Sequence, residues 1–140
     1  MNLDELLGRA VSAGASDIHL KVSQPPMLRV DGTIRPMEGT PTLTPDDLNA
    51  LLQVAGSAAP HRLATFRETG ELDASYETAE ETRFRVNAFR QRGMVSIAMR
   101  FIPRTIPSFD DLHMRPLWDD GLVKVREGVT SVEELARVLV

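Results

Sequence analysis

The chain has 140 residues, 42% of them hydrophobic, which is enough to bury the core of one domain with a small appendage. It has no cysteine and three scattered histidines, so disulfides and thiolate metal sites are excluded and no histidine ligand pattern stands out. The net charge of −4 argues against a general nucleic-acid binder. No apolar run approaches a membrane span and the amino terminus lacks the layout of a secretory signal, so we expect a cytoplasmic protein.

Taken in order, the first half of the chain predicts a helix, three strands and two further helices. Leucines at helical spacing follow Asn2, a residue type that caps helices well. Apolar and polar residues then alternate over 18–22, as in a half-buried strand, and Asp31 with Gly32 is a strong signal for a two-residue hairpin turn. Two helices are predicted after Thr44 and from Pro60.

The second half predicts three more strands, of which the last two form a hairpin. Residues 84–88 and 95–101 both alternate between apolar and polar side chains, and Arg92 with Gly93 supplies the turn between them. The whole order of elements predicts an α+β domain, built on an antiparallel sheet flanked by helices and ending near Ile102.

The predicted register of this hairpin places two arginines opposite each other. With the turn centred as above, Phe84 faces Phe101 and Arg85 faces Arg100. Like charges directly opposite on a sheet cost up to about 1 kcal/mol, so such a pair suggests a shared anion. The alternative is two solvated side chains that splay apart, which is the usual condition of surface arginines. Spacing alone leaves both interpretations open.

A connector over residues 103–114 follows the domain. Pro103 and Pro107 stiffen it, because proline restricts the backbone on both sides of its ring. Ser108 with Asp111 has the spacing of a short helix start.

Residues 115–140 are predicted to form a helical tail. Residues 118–121 are expected to form a turn, and Thr130 with Glu133 has the spacing of a capping box for a last helix. That helix needs a covering surface for its apolar stripe. The stripe consists of Val132, Leu135, Ala136 and Leu139.

Four segments together resemble the amino-terminal domain of PilT-type retraction ATPases of type IV pili. They are ASDIHL at 15–20, PPMLRVDG at 25–32, FRVNAF at 84–89 and RFIP at 100–103. The likeness extends over residues 1–112. It implies that 1–102 is a PAS-like domain, a sheet flanked by helices, which in the family precedes a RecA-like ATPase core in a hexameric ring.

The resemblance also assigns roles to individual residues. Related motors present two arginines to the terminal phosphate of the nucleotide, and here these are Arg85 and Arg100. Arg104 falls in the connector and is expected next to the nucleotide. Asp17 and His19 belong to the most recognisable family motif and are interpreted as structural, because a strand histidine beside a helix end usually satisfies a local hydrogen bond. The resemblance therefore favours a phosphate-facing pair over two solvated arginines.

The chain also departs from this family. It has no GxxxxGK followed by Ser or Thr, no strand ending in a magnesium-binding acidic cluster, and no room for a RecA-like core. Residues 115–140 instead resemble the extreme carboxyl terminus of secretion and pilus-assembly ATPases of the PilB and GspE type, and RPLWDDGLVKV at 115–125 carries this likeness. The two likenesses together imply that the chain joins the two ends of such a motor near His113, without the core between them. It would then be a natural, internally deleted paralogue or an artificially shortened chain. ATP and magnesium are then expected only together with a RecA-like core.

These observations favour a non-catalytic domain or truncated paralogue of a type IV pilus retraction ATPase, the motor of twitching motility. Such a chain is expected not to hydrolyse ATP alone, to contact motor subunits or copies of itself, and to meet the inner-membrane pilus platform only indirectly, at its cytoplasmic face. The alternative is a stand-alone PAS-like sensor or protein-interaction module, which the bulky inward residues of the hairpin do not favour. Nucleic-acid binding through the arginines is not favoured either, because no exposed aromatic residues are interleaved with them.

Overall fold

The computed structural model describes residues 2–112 and 114–139, and in Leu139, the last residue of the predicted stripe, the backbone alone. His113, where the sequence predicts the junction between two likenesses, lies outside the described residues. The chain forms two compact units, residues 1–104 and residues 105–140.

The first unit is an α+β fold on a six-stranded sheet. Its elements are α1 (Leu3–Ser12), β1 (Asp17–Lys21), β2 (Met27–Val30), β3 (Thr33–Pro36), α2 (Pro45–Ala55), α3 (Pro60–Thr69), β4 (Glu71–Glu77), β5 (Arg83–Gln91) and β6 (Met94–Ile102). The strand order is β3-β2-β1-β6-β5-β4, and all neighbouring strands pair antiparallel. The predicted fold class and element order are confirmed.

Local sequence explains where the helices begin and end. Asn2 caps α1, since its side chain accepts a hydrogen bond from the backbone N–H of Glu5 at 3.3 Å. Thr44 and Asp47 form a reciprocal capping box at the start of α2. Gly70 ends α3 in the left-handed conformation, at a φ of 77°, which glycine adopts without steric cost.

The hairpin of β5 and β6 has the predicted register. Arg92 and Gly93 form its two-residue turn with φ values of 54° and 80°, which are those of a type I′ turn. Phe84 pairs with Phe101, and their ring centroids lie 5.9 Å apart in a tilted arrangement. The turn and the apolar pairs thus select one alignment of the two strands.

The helices cover one face of the sheet and leave the other uncovered within this unit. Leu7 of α1 and Leu51 of α2 belong to the same buried cluster as Val86 and Met99 of the sheet. The opposite face carries the alternate, mostly polar residues of each strand, and no helix of residues 2–104 packs on it. This uncovered face carries the two arginines that the resemblance singles out.

The second unit contains two helices, α4 (Leu117–Arg126) and α5 (Val132–Leu139). The turn predicted at 118–121 is wrong, because these residues lie inside α4. Two aspartates stand in its first turn, where acidic side chains stabilise a helix. Gly121 suits the helix interior here, because a Cβ at this position would overlap the side chain of Leu135 on α5.

Two further expectations for this unit are corrected. The side chain that caps α5 is Ser131 rather than Thr130, since its Oγ accepts from the N–H of Glu134 at 3.2 Å. Ser108 and Asp111 make the reciprocal hydrogen bonds of a capping box, at 2.9 and 3.2 Å, but only a turn follows them. A proline comes soon afterwards, and the residue before a proline avoids helical geometry, so no helix grows from this start.

The turn at Arg92 yields a prediction about stability. A left-handed backbone costs a residue with a Cβ about 1 kcal/mol, and asparagine tolerates it better than arginine. We expect Arg92→Asn to raise the free energy of unfolding by about 0.5 kcal/mol in urea denaturation. Gly93→Ala is the control and should lower that free energy by about 1 kcal/mol. A loss of stability in Arg92→Asn would contradict the assigned turn.

Candidate functional site

Adjacent strands place the two predicted arginines side by side. Arg85 on β5 and Arg100 on β6 are direct Cα partners on the uncovered face of the sheet. Their side chains are 69% and 71% exposed. The guanidinium groups therefore share one face and stay accessible to solvent, although each of them contacts a carboxylate.

Arg100 is held by a buried carboxylate. Its Nε donates to Oδ1 of Asp17 at 2.8 Å, across the pairing of β1 with β6. The other oxygen of Asp17 accepts from Oγ of Ser16 at 2.9 Å and lies 3.4 Å from Nε of Arg29 on β2. Burial by itself raises the pKa of Asp17, but the hydrogen bonds from Arg100 and Ser16 and the charges of both arginines lower it below its ordinary value. Asp17 is thus an ionised anchor for two arginines.

Arg85 is held more loosely. Its Nε and Nη2 both lie 3.4 Å from Oδ1 of Asp73 on β4, and both side chains are exposed, so the pair contributes less than about 1 kcal/mol. Asp73 is not among the site residues predicted from the sequence. The alternation of β4 could have predicted its position. Leu72 and Ala74 face the core, so Asp73 lies on the same face of the sheet as Arg85.

A shallow hollow opens beside the arginine pair, and we name it the arginine hollow. The small side chain of Ala98 leaves room here, between His19 of β1 and Asn87 of β5 in the sheet register. The volume is about 230 Å³, several times the share of one water molecule in the liquid, which is about 30 Å³. The lining residues are Asp17, His19, Asp73, Arg85, Asn87, Ala98, Met99 and Arg100.

His19 lines this hollow, and the expected local hydrogen bond is not found at its Nε2. Its Nε2 is buried and has no hydrogen-bond partner among the described residues. β1 lies inside the sheet, between β2 and β6, and the structural role of His19 stays a prediction. Burial lowers the pKa of His19, and the charges of Arg29, Lys21 and Arg100 act in the same direction against that of Asp17. The neutral imidazole is therefore favoured.

Arg104 lies away from the arginine hollow. Its Nη1 donates to Oε2 of Glu81, in the turn between β4 and β5, at 2.8 Å. Both side chains are exposed, and neither residue lines the hollow. The nucleotide-adjacent role of Arg104 therefore stays a prediction, without support from its contacts.

Two known proteins with similar sequences are pilus ATPases, although no family model matches the chain. The type IV pilus retraction ATPase PilT of Pseudomonas aeruginosa is 36% identical over 114 residues, which are 81% of this chain and 32% of PilT. The pilus ATPase PilU of the same organism is 31% identical over 114 residues, which are 29% of PilU. The chain is a homologue of PilT-type ATPases. It spans about a third of the length of these relatives.

Solved structures agree with the PilT-type relationship. The crystal structure of the pilus retraction motor PilT with bound ADP matches with a TM-score of 0.70 at 36% identity, over 79% of this chain and 32% of that one. The fold thus matches the amino-terminal domain of PilT, which confirms the resemblance stated from the sequence. The ATPase DotB of Legionella pneumophila, with a TM-score of 0.67 at 24% identity, shows the fold alone.

A larger hollow lies elsewhere on the first unit. It opens between α1 and the turn after β4, with a volume of about 710 Å³. Asp4, Glu5 and Glu80 outnumber Arg9 among its charged lining residues, and Phe84 contributes an apolar wall. Its size is that of an ordinary ligand pocket, so the sensor interpretation would place a ligand here rather than on the uncovered face.

Two negative findings apply to residues 2–112 and 114–139. These residues contain no group of three or more His, Asp or Glu side chains arranged to hold a metal ion. None of their helices is long and apolar enough to cross a membrane.

The buried imidazole predicts a pH dependence of stability. A group whose pKa is lowered in the folded state is protonated more readily in the unfolded state. The contribution of neutral His19 to folding stability is therefore complete when the pH is above the ordinary pKa of 6.5. It is lost as the pH falls below that value. We expect thermal unfolding of the wild type to show this acid-side loss, and His19→Gln to lack it. His61→Gln, on the exposed side of α3, should keep the loss; identical pH profiles for all three proteins would contradict the assignment.

Proposed function

We propose that the chain is a non-catalytic component of a type IV pilus motor, which supplies Arg85 and Arg100 to a nucleotide held by a RecA-like core. The observation that carries the proposal is the exposed pair of arginines, direct partners in adjacent strands of the uncovered face. The homology with PilT and PilU supports the choice of motor. The same proposal divides the chain into a domain at 1–102, a linker at 103–114 and a tail of the secretion-ATPase type at 115–140.

The geometry of the arginines suits phosphate binding. Arg100 contacts Asp17 through Nε, and its two Nη atoms have no hydrogen-bond partner among the described residues. A guanidinium is planar and permanently charged, so two free N–H groups on one edge can donate to two phosphate oxygens at once. Arg85 stands in the next strand and can approach the same phosphate group from the side. Charge that develops during phosphoryl transfer would be stabilised by both groups.

The proposal assigns the other functions of the motor to other segments. The 140 residues contain no GxxxxGK followed by Ser or Thr, so ATP and magnesium are assigned to the RecA-like core. The partners are motor subunits or further copies of the chain, and contact with the pilus platform at the cytoplasmic face of the inner membrane is indirect. ATP hydrolysis is assigned to the assembled motor rather than to this chain.

A second candidate function is a ligand sensor, and the hollow of about 710 Å³ beside α1 favours it. A compound bound there would contact acidic residues and Phe84, and it would leave the arginine pair free. Native mass spectrometry of the purified chain distinguishes the two functions, because a retained ligand of one mass supports the sensor.

The proposal predicts complementation of a motor that lacks its own amino-terminal domain. ATP hydrolysis by such a PilT-type motor should rise when the full chain is added. Arg85→Gln and Arg100→Gln should each reduce this stimulation by at least about tenfold, because an arginine that stabilises the transferred phosphate contributes a large factor to the rate. The measurement is phosphate release at saturating ATP.

Arg35→Gln is the matched control, since it removes one positive charge from β3, opposite the buried Leu28. It should stimulate like the wild type. Equal stimulation by all variants would contradict the assigned role of the pair. ATP hydrolysis by the pure chain that disappears in Arg85→Gln would contradict the assignment of catalysis to the assembled motor.

A further inference from the structure

The contacts of Asp17 are unusual in one respect: a buried acid is paired with an exposed base. The side chain of Asp17 is 10% exposed, whereas that of its partner Arg100 is 71% exposed. A free arginine side chain has many accessible rotamers, so an exposed one samples many orientations. The short contact of 2.8 Å between Nε and Oδ1 removes much of that freedom at a fixed point on the sheet.

The second oxygen of Asp17 is also committed. It accepts from Oγ of Ser16 and lies beside Nε of Arg29. Arg29 in turn donates from Nη1 to the carbonyl oxygen of Gly32, in the turn between β2 and β3, at 3.1 Å. A continuous series of polar contacts therefore runs from that turn through Asp17 to Arg100. The carboxylate cannot rotate toward one partner without losing the other.

We propose that Asp17 is a positioning residue, which fixes the guanidinium of Arg100 through Nε so that both Nη atoms are directed at the incoming phosphate. The inference rests on the proposed function, and it adds a residue that contacts no nucleotide itself. Arg85 has no equivalent, because its contacts with Asp73 are 3.4 Å long and exposed. The site thus combines one fixed arginine with one adjustable arginine.

The test uses the complementation assay described above with the full chain. Asp17→Asn keeps the shape of the side chain and removes its charge. It should lower the stimulation of ATP hydrolysis about tenfold, since small misplacements of a group that contacts the reacting atoms have effects of that size or larger. Asp46→Asn, the same change on the exposed start of α2, should leave the stimulation unchanged. Combined with Arg100→Gln, Asp17→Asn should cause no further loss, whereas a general structural defect would add to it.

A readout on the isolated chain separates this inference from the proposed function. The Nε–H of Arg100 should give a slowly exchanging signal in proton–nitrogen NMR spectra of the wild type and of Asp46→Asn, and this signal should be lost in Asp17→Asn. Persistence of the signal in folded Asp17→Asn would overturn the inference. So would full stimulation by that variant in an assay where Arg100→Gln fails. If Arg100→Gln stimulates normally, the proposed function fails, and the NMR signal still decides whether Asp17 fixes Arg100.

Asp17→Glu covers the case in which Asp17→Asn does not fold. It keeps the charge but moves the carboxylate by one carbon–carbon bond, about 1.5 Å. Positioning predicts that this variant folds and still stimulates poorly, because Arg100 is displaced. Full stimulation by Asp17→Glu would show that charge alone suffices, and it would overturn the inference.

Discussion

The candidate site depends on the register between β5 and β6. The left-handed turn at Arg92 and Gly93 and the apolar alternation of both strands set this register together. A slip of one residue would put Arg85 and Arg100 on opposite faces, or bury one of them in place of Val86. The hydrophobic core therefore determines the position of charged groups that contribute nothing to that core. It is the large apolar residues, rather than the arginines, that make the pair possible.

The same register brings like charges together, and the neighbouring strands compensate for it. Two arginines directly opposite each other cost up to about 1 kcal/mol. The strand order provides Asp17 for Arg100 and Asp73 for Arg85, so each guanidinium has a carboxylate within 3.4 Å. Because β1 is an interior strand and β4 is an edge strand, the first carboxylate is buried and the second is exposed. Strand position thus decides which arginine is fixed and which is adjustable.

Local sequence patterns predict the hairpin and its facing arginines, because alternation and a two-residue turn are properties of neighbouring residues. They do not predict the contact of Asp17 with Arg100, which are 83 positions apart, because the pairing of β1 with β6 is decided by the packing of the whole core. Local patterns also fail to predict that the Nε2 of His19 has no hydrogen-bond partner in the described part of the chain. In the tail, the local sequence Asp-Asp-Gly favours a turn, but these residues lie in a helix. Gly121 of that helix packs closely against Leu135, a contact that the local pattern does not contain.

The arrangement resembles one half of a binding site. At about 230 Å³ the arginine hollow is smaller than the 300 to 1,000 Å³ or so that pockets for whole ligands usually have, and its arginines are exposed to water, which screens their charge. A second protein surface that carried a phosphate and excluded water would strengthen the same charges several-fold. Asp17 is buried before any such closure, so Arg100 would need no reordering when the surfaces meet. The proposed function requires such a division, with charge on one surface and the nucleotide on the other, and an open, preorganised sheet face meets that requirement.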